Sequence, residues 1–326
     1  MANSGEFFVG VDIGGTKVAA GLVNTTGEIL FRTRNPIKTN GSADEALFAV
    51  RQAIDSVLSQ SGDKEISSIG LSAPGTVDLA TGTVLNPSNL PCWHNFPLGP
   101  AIQDIYNLPA QVHNDGNAAG LAEALWGAGS GYKSVFYATI GTGVGTALLY
   151  RGHLYLGRTR SAGEGGHMVI DYRGPKCHCG KFGCIETFAA GPAIARRTQE
   201  RIKKEGTRGG AILSLAGGNL DCVKSETVAR AWEQGDALAT QILEETADIL
   251  AIWFGNIIDL IEPDVIVVGG GMSGLIARWF DRILLQLPRW SVNTHCHEVP
   301  LLSAKYGPDS GIVGAAALCV SRGTYL

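Results

Sequence analysis

The chain has 326 residues, 45% of them hydrophobic and 17% charged, with a formal net charge of −4 and a pI near 6.0. That balance describes an ordinary soluble globular protein with room for one large or two medium cores. It excludes a general field that would attract nucleic acid or an anionic membrane and favours a small-molecule partner.

The 44 glycines exceed the roughly 7% that is usual, so many backbone positions call for glycine. The N-terminal stretch MANSGEFFVGVDIGG has no basic region and no cleavable apolar run. The most apolar later stretch, ILAIWFGNIIDLI, is interrupted by Asn256 and Asp259. A cytoplasmic protein without a membrane span is expected. Thiols stay reduced there, so seven cysteines need no disulfides and clustered ones point to metal.

From Phe7, FFVGVDIGGTKVAAGLVNTTGEIL reads as a strand, a Gly/Thr turn, a second strand, an NTTG turn and a third strand. DEALFAVRQAIDSVLSQ at 44–60 has apolar residues three and four apart and predicts a helix. SSIGLSAPG is a buried strand ending near Gly75, and AQVHND is a short strand followed by a helix from Gly116. From Ser134, SVFYATIGTGVGTALLYRGHLYLG repeats the opening plan at an offset of about 127 residues. A helical pattern over 228–261 leads into the strand DVIVVGGGMSG, and GIVGAAALCV is the counterpart of the helix from Gly116. The outcome is an α/β chain built from two βββαβα units, read as two lobes closing on a ligand with the glycine turns facing the cleft. The expected division is 1–115 plus 310–326 for the smaller lobe and 116–309 for the larger.

Glycine lets the DIGGT backbone approach an anion closely, and Asp12 would sit near a Mg²⁺ ion. A tight hairpin alone also explains such a turn, but the second copy at Gly141, Thr142 and Gly143 favours one loop at each end of a polyphosphate. Neither turn is a GxxxxGK[ST] loop nor a GxGxxG opening a helix. VVGGGMSG, with Gly269, Gly270 and Gly271, suits a nucleotide or close helix-strand packing equally. Asp115 in HNDGNA stands at a strand's carboxyl end, where open α/β sheets bind ligands, although an N-cap or Asx-turn would also place an Asp there.

Cys177, Cys179 and Cys184 supply three soft ligands, and His167 ten residues earlier completes a Cys₃His zinc set. His178 is a poorer fourth ligand because its side chain should point away from its two neighbours. His295, Cys296 and His297 form a rival donor set, read as an unrelated surface or strand segment.

With these residues in view, the sequence resembles the ROK family of sugar kinases, most of all its bacterial glucokinase members. The resemblance spans nearly the whole chain through DIGGTK, LSAPG, HNDGNA, IGTGVG, the pattern from Glu164 to His167, CHCGKFGCIE and VVGGG. It implies an actin-like, hexokinase-type ATPase fold with two RNase H-like lobes. It also implies transfer of the ATP γ-phosphoryl group to a sugar, usually at a C6 hydroxyl, in a protein that is often a homodimer. By position, Asp115 matches the base. Gly75, Asn89, Asn114, Glu164, His167 and Glu186 match sugar contacts, and His167, Cys177, Cys179 and Cys184 match zinc ligands. Asp12, Gly14, Gly15, Thr16, Lys17, Gly141, Thr142 and Gly143 match the surroundings of phosphates and Mg²⁺, with Gly269 to Gly271 beside the adenosine. The zinc would order the loop carrying Glu164 and Glu186 without doing chemistry.

The loop TVLNPSNLPCWHNFPL at 83–98 favours glucose. Cys92 stands where such members often carry glycine, which leaves N-acetylglucosamine, N-acetylmannosamine, fructose and mannose as alternatives. Some ROK members are repressors with a DNA-binding segment before the first strand. Here that strand begins at about residue 6, so a kinase is expected rather than a regulator or an actin-like scaffold.

Overall fold

β-Branched and aromatic residues on alternate positions make the strands expected from Phe7. In the computed structural model, which describes residues 6–87, 89–206 and 209–321, β1 (Phe7–Ile13) pairs antiparallel with β2 (Lys17–Asn24), and β2 with β3 (Ile29–Pro36). A capping box starts α1 (Ala43–Gln60): Glu45 N–H donates to Ser42 Oγ at 3.1 Å, and Ser42 N–H donates to the Glu45 carboxylate at 2.9 Å. β4 (Ile66–Ala73) runs parallel to β1. After β5 (Val77–Asp78), β6 (Thr83–Val84) and α2 (Leu98–Tyr106), β7 (Ala110–Asn114) runs parallel to β4. The sheet order is β3-β2-β1-β4-β7, and α3 (Asp115–Trp126) follows at once.

The second pass opens with β8 (Ser134–Ile140), β9 (Val144–Tyr150) and β10 (His153–Leu154). Five helices follow: α4 (Glu186–Ala189), α5 (Gly191–Glu205), α6 (Gly210–Leu215), α7 (Ser225–Glu233) and α8 (Ala237–Ile261). β11 (Val265–Gly269), α9 (Ser273–Ala277), α10 (Phe280–Gln286), β12 (Leu301–Ser303) and α11 (Ser310–Ser321) complete the chain. The second sheet has the order β10-β9-β8-β11-β12, with β11 parallel to β12.

Two details differ from the sequence reading. The single helical pattern over 228–261 is two helices, because the Asp236 carboxylate accepts the Ala239 N–H at 2.8 Å and starts α8 afresh. β12, the counterpart of β7, has only three residues after Pro300, too few to show a period.

Contacts group the described residues into two compact units. The first takes those up to Val135, Ala147–Gly163 and those from Lys305, and the second takes Phe136–Thr146 and Glu164–Ala304. This division departs from the expected boundary after residue 115. α3 stays with the first unit because α11 lies against it closely enough that a Cβ on Gly314 would fall 2.6 Å from the Ala118 carbonyl. α11 also covers one face of the first sheet. A Cβ on Gly10 would fall 2.0 Å from Ile312 O and one on Gly70 1.8 Å from Ala315 O, so only glycine permits that approach. The opposite face buries Val9, Val11 and Leu71 against Ala53, Ile54 and Val57 of α1. In the second unit, Trp253 and Phe254 of α8 form the centre of a core with Ile140, Ile266 and Val268.

Candidate active site

In the first unit β1, β4 and β7 are parallel, so their carboxyl ends share one edge of the sheet, the usual ligand edge of α/β folds. Asp12 is next to last in β1, Asn114 ends β7 and Asp115 opens α3. The helix cap is Asn114, whose side chain accepts the Asn117 N–H at 2.9 Å. Asp115 is therefore not the N-cap. Its Oδ1 accepts the Gly116 N–H at 2.8 Å, and the side chain remains open to solvent. Enough protein surrounds it that desolvation raises its pKa. Asp12 is half-buried, and its pKa is raised to about 6 by burial first and then by the charge of Asp115, against opposing effects of Lys17, Ser72 and Arg34. His113 is buried and its pKa falls to about 4, so the ring is neutral. Its Nδ1 accepts the Asn114 N–H at 2.8 Å and braces the strand-to-helix turn.

Gly14, Gly15 and Thr16 join β1 to β2 in a turn closed by the Gly14 N–H donating to Lys17 O at 2.9 Å. Thr16 and Lys17 are exposed. Gly15 lies against the backbone of Asn89, which brings the first glycine turn beside the 83–98 loop, and the Thr39 hydroxyl donates to Gly15 O. Gly75 is exposed just beyond β4, against Pro87 of the same loop. Cys92 packs against the first unit's core, and burial raises its thiol pKa. The side chain that departs from the family's glycine thus fills core space.

The second unit repeats the turn. Gly141, Thr142 and Gly143 join β8 to β9, and the Gly141 N–H donates to Gly143 O at 2.9 Å. Gly269 ends β11, Gly271 lies beside Gly141, and the Met272 N–H donates to Ile140 O at 2.9 Å. The structure therefore brings the second turn and the VVGGG segment together.

The ligand atoms of His167, Cys177, Cys179 and Cys184 lie within 4.8 Å of one another. Zn–S bonds of about 2.3 Å and Zn–N bonds of about 2.0 Å in a tetrahedron put sulfurs about 3.8 Å apart and S–N pairs about 3.5 Å apart. Cys179 Sγ is 3.7 Å from Cys184 Sγ, and Cys177 Sγ is 3.6 Å from His167 Nδ1. The set fits a tetrahedral soft-metal site. The local fold depends on Gly183, which has φ +70° and where a Cβ would fall 1.6 Å from Asp171 O. Burial raises the pKa of Cys177 and Cys184, while the Lys181 N–H lowers that of exposed Cys179.

Glu164 is exposed at the start of the turn that presents His167, whose N–H donates to Glu164 O at 3.0 Å. That turn is pinned by the Gly165 N–H donating to Thr146 Oγ1 at 2.8 Å and by Trp253 Nε1–H donating to Gly165 O at 3.2 Å. Glu186 opens α4 next to the cysteine cluster. Its Oε2 accepts the Val144 N–H at 2.9 Å, and its Oε1 lies 3.0 Å from His178 Nδ1. His295, Cys296 and His297 stand outside this set. Cys296 is buried in the core, His295 pairs with Glu298 at 2.9 Å, and none belongs to a group of ligating atoms among the described residues.

Sequence reasoning missed Glu123. It is fully buried in α3, where Oε2 accepts the N–H groups of Ala128 at 2.8 Å and Lys305 at 3.0 Å, and Oε1 accepts that of Tyr306 at 3.0 Å. A glutamate within GLAEALW gives no sign of burial, because two of its three partners lie 182 and 183 residues away.

A family model described as ROK family matches residues 8–322. The chain is 31% identical over 315 residues to a glucokinase of Thermotoga maritima, covering 96% of this chain and 97% of that protein. It is 31% identical to an N-acetylmannosamine kinase of Shigella boydii, covering 94% and 96%. Among solved structures, a ROK family glucokinase from Streptomyces griseus in complex with glucose and AMPPNP is similar with a TM-score of 0.80 and 32% identity, covering 96% of this chain and 98% of that one.

Proposed function

This chain belongs to the ROK family, and from that membership we propose that it transfers the γ-phosphoryl group of ATP to the 6-hydroxyl of glucose. It is an ATP-dependent sugar kinase with the actin-like, hexokinase-type ATPase fold. The observation that carries the mechanism is the pair Asp12 and Asp115, two interacting carboxylates at the ligand edge of one sheet, each with a raised pKa.

Asp115 is the proposed base. Desolvation raises its proton affinity, which suits a group that orients the sugar hydroxyl and takes its proton late in a transfer governed by positioning. Asp12, crowded by a second carboxylate, would hold a divalent cation entering with ATP, which would supply neutralisation of charge on the transferred group. The turns Gly14–Gly15–Thr16 and Gly141–Thr142–Gly143, closed by their own Gly14 and Gly141 N–H bonds, approach the phosphates, Lys17 adds positive charge, and Gly269, Gly270 and Gly271 approach the adenosine. Gly75, Asn89, Asn114, Glu164, His167 and Glu186 bind the sugar. His167, Cys177, Cys179 and Cys184 would hold a zinc that would supply no chemistry and would fix the segment between Glu164 and Glu186. A cytoplasmic homodimer completes the proposal. No helix among the described residues is long and apolar enough to cross a membrane.

Glucose is supported by the glucokinase relatives, and N-acetylmannosamine is the second reading because a kinase for that sugar is equally similar in identity. Coupled measurement of ADP release against glucose, N-acetylglucosamine, N-acetylmannosamine, fructose and mannose tests both. Glucose is expected to give the highest kcat/KM. A higher value for an N-acetylhexosamine overturns the assignment of the sugar, and turnover with none of them favours a regulator.

A further inference from the structure

Both oxygens of Glu186 are held by the protein. Oε2 accepts the Val144 N–H at 2.9 Å, and Oε1 meets His178 Nδ1 at 3.0 Å. His178 occupies the middle position between Cys177 and Cys179 and lies outside the four-atom donor group of the knuckle, although it forms a second cluster of donor atoms with His167 and Glu186. His178 Nδ1 also lies 3.9 Å from Cys177 Sγ, a longer contact than the one to Glu186. The knuckle turn sets the ring in place: the Cys177 N–H donates to Lys181 O at 2.8 Å and the Gly180 N–H to Cys177 O at 3.0 Å. Neighbouring His167 meets the ring edge-on, with centroids 5.2 Å apart and planes at 75°.

We infer that His178 is a positioning residue that holds the Glu186 carboxylate in one orientation for the sugar. The inference rests on the reading of Glu186 as a sugar contact. A carboxylate offers two acceptor sites on each oxygen. Val144 takes one site on Oε2 and His178 one on Oε1, where the Cys177 Sγ also lies at 3.8 Å, so the second site of Oε2 is the one left open for a sugar hydroxyl. The terminal torsion of a glutamate is otherwise broad, so a carboxylate held at one oxygen alone would sample orientations that miss the hydroxyls. His178 is 75% exposed and Glu186 only 14%. The ring therefore adds little packing, and its hydrogen bond is what it gives the site.

The test compares His178→Ala and His178→Asn in the full chain, with zinc content measured by metal analysis alongside glucose kinetics. Asn is the conservative variant because its Nδ2 can stand where the imidazole Nδ1 stands. Loss of one such hydrogen bond is expected to raise the glucose KM of His178→Ala roughly 3- to 10-fold. The same variant should change kcat less than about twofold, with zinc content unchanged and most of the affinity restored by Asn. A wild-type KM in His178→Ala overturns the inference. So does loss of zinc in His178→Ala, or a His178→Asn no better than Ala, since either makes the residue a structural part of the knuckle. Glu186→Ala separates the two levels: an unchanged glucose KM there overturns the reading of Glu186 itself. A raised KM there with wild-type kinetics in His178→Ala overturns only the role of His178.

Discussion

The backbone N–H of Val144, the first residue after the second glycine turn, donates to Glu186 Oε2 at 2.9 Å across 42 residues of sequence. A turn assigned to phosphates and a carboxylate assigned to the sugar are thus joined directly. Glu186 in turn follows Cys184 by two residues, so the order of the cysteine cluster passes straight to it.

Removing that order should therefore be felt at the sugar. The protein is expected to contain about one zinc per chain, and Cys184→Ser should lower metal content and raise the glucose KM together. Burial raises the Cys184 thiol pKa, so without metal it stays protonated at neutral pH. Zinc uptake must then release protons, and its affinity should fall as pH drops. Metal analysis and kinetics on the same preparations check this, and metal-depleted protein with an unchanged KM would sink it.

Asp12 sets a stability against a function. Folded Asp12 holds its proton to about pH 6, whereas its ordinary value is 3.8. Between those values the folded state binds more protons than the unfolded one, so this group's contribution to stability falls as pH rises through the window. At pH 7 the ionised carboxylate costs up to roughly 3 kcal/mol. Asp12→Asn should therefore raise Tm of the ligand-free protein at neutral pH, with the gain vanishing below about pH 4. The same change should sharply weaken turnover with Mg-ATP, and wild-type kcat/KM for ATP should fall as the medium drops below about pH 6. An Asn variant less stable than wild type at pH 7 would contradict this account of Asp12.

The parts of this site legible in the sequence were those fixed by nearby residues. The glycine turns at 14–16 and 141–143 and the spacing of Cys177, Cys179 and Cys184 are each set within a few positions. What escaped notice depends on distant partners. Glu123 looks like a solvent-facing helix residue until Lys305 and Tyr306 arrive beside it. The Glu186 carboxylate meets Val144 only because β9 passes α4. The cap at Asn114, rather than Asp115, turns on the helix starting one residue earlier than its pattern suggests, a shift within the usual scatter of helix ends.

Glu123 carries a prediction about stability alone. Its carboxylate accepts three backbone N–H groups and ties the segment entering α11 to the end of α3. Glu123→Ala leaves those donors without it and should cost on the order of 3 kcal/mol, or roughly 5–10 °C in Tm. Glu123→Gln can keep its oxygen toward Ala128 and Lys305 and lose only the Tyr306 bond, so a smaller loss is expected. Calorimetry of both variants checks the order, and a Glu123→Ala protein within about 1 °C of wild type would remove the assigned role.

The catalytic assignment is tested most sharply by Asp115→Asn. Asn has nearly the same volume and keeps one acceptor oxygen for the Gly116 N–H, which Asp115 Oδ1 accepts at 2.8 Å. The helix start should survive, because its cap is Asn114 through the Asn117 N–H at 2.9 Å. Little stability is therefore at stake in the substitution. The neutral amide cannot take a proton from the sugar hydroxyl, however, and loss of a general base typically lowers the rate on the order of 10²- to 10⁴-fold. Glucose and ATP affinity should change much less, because the side chain's size and one acceptor remain. The change also removes the charge that helps raise Asp12, so the Asp12 pKa should fall from about 6 toward its ordinary value. Tighter Mg-ATP binding below neutral pH should then accompany the loss of turnover. An Asp115→Asn enzyme retaining more than about a tenth of wild-type kcat, well short of a general-base loss, would move the role to another carboxylate, Glu164 first.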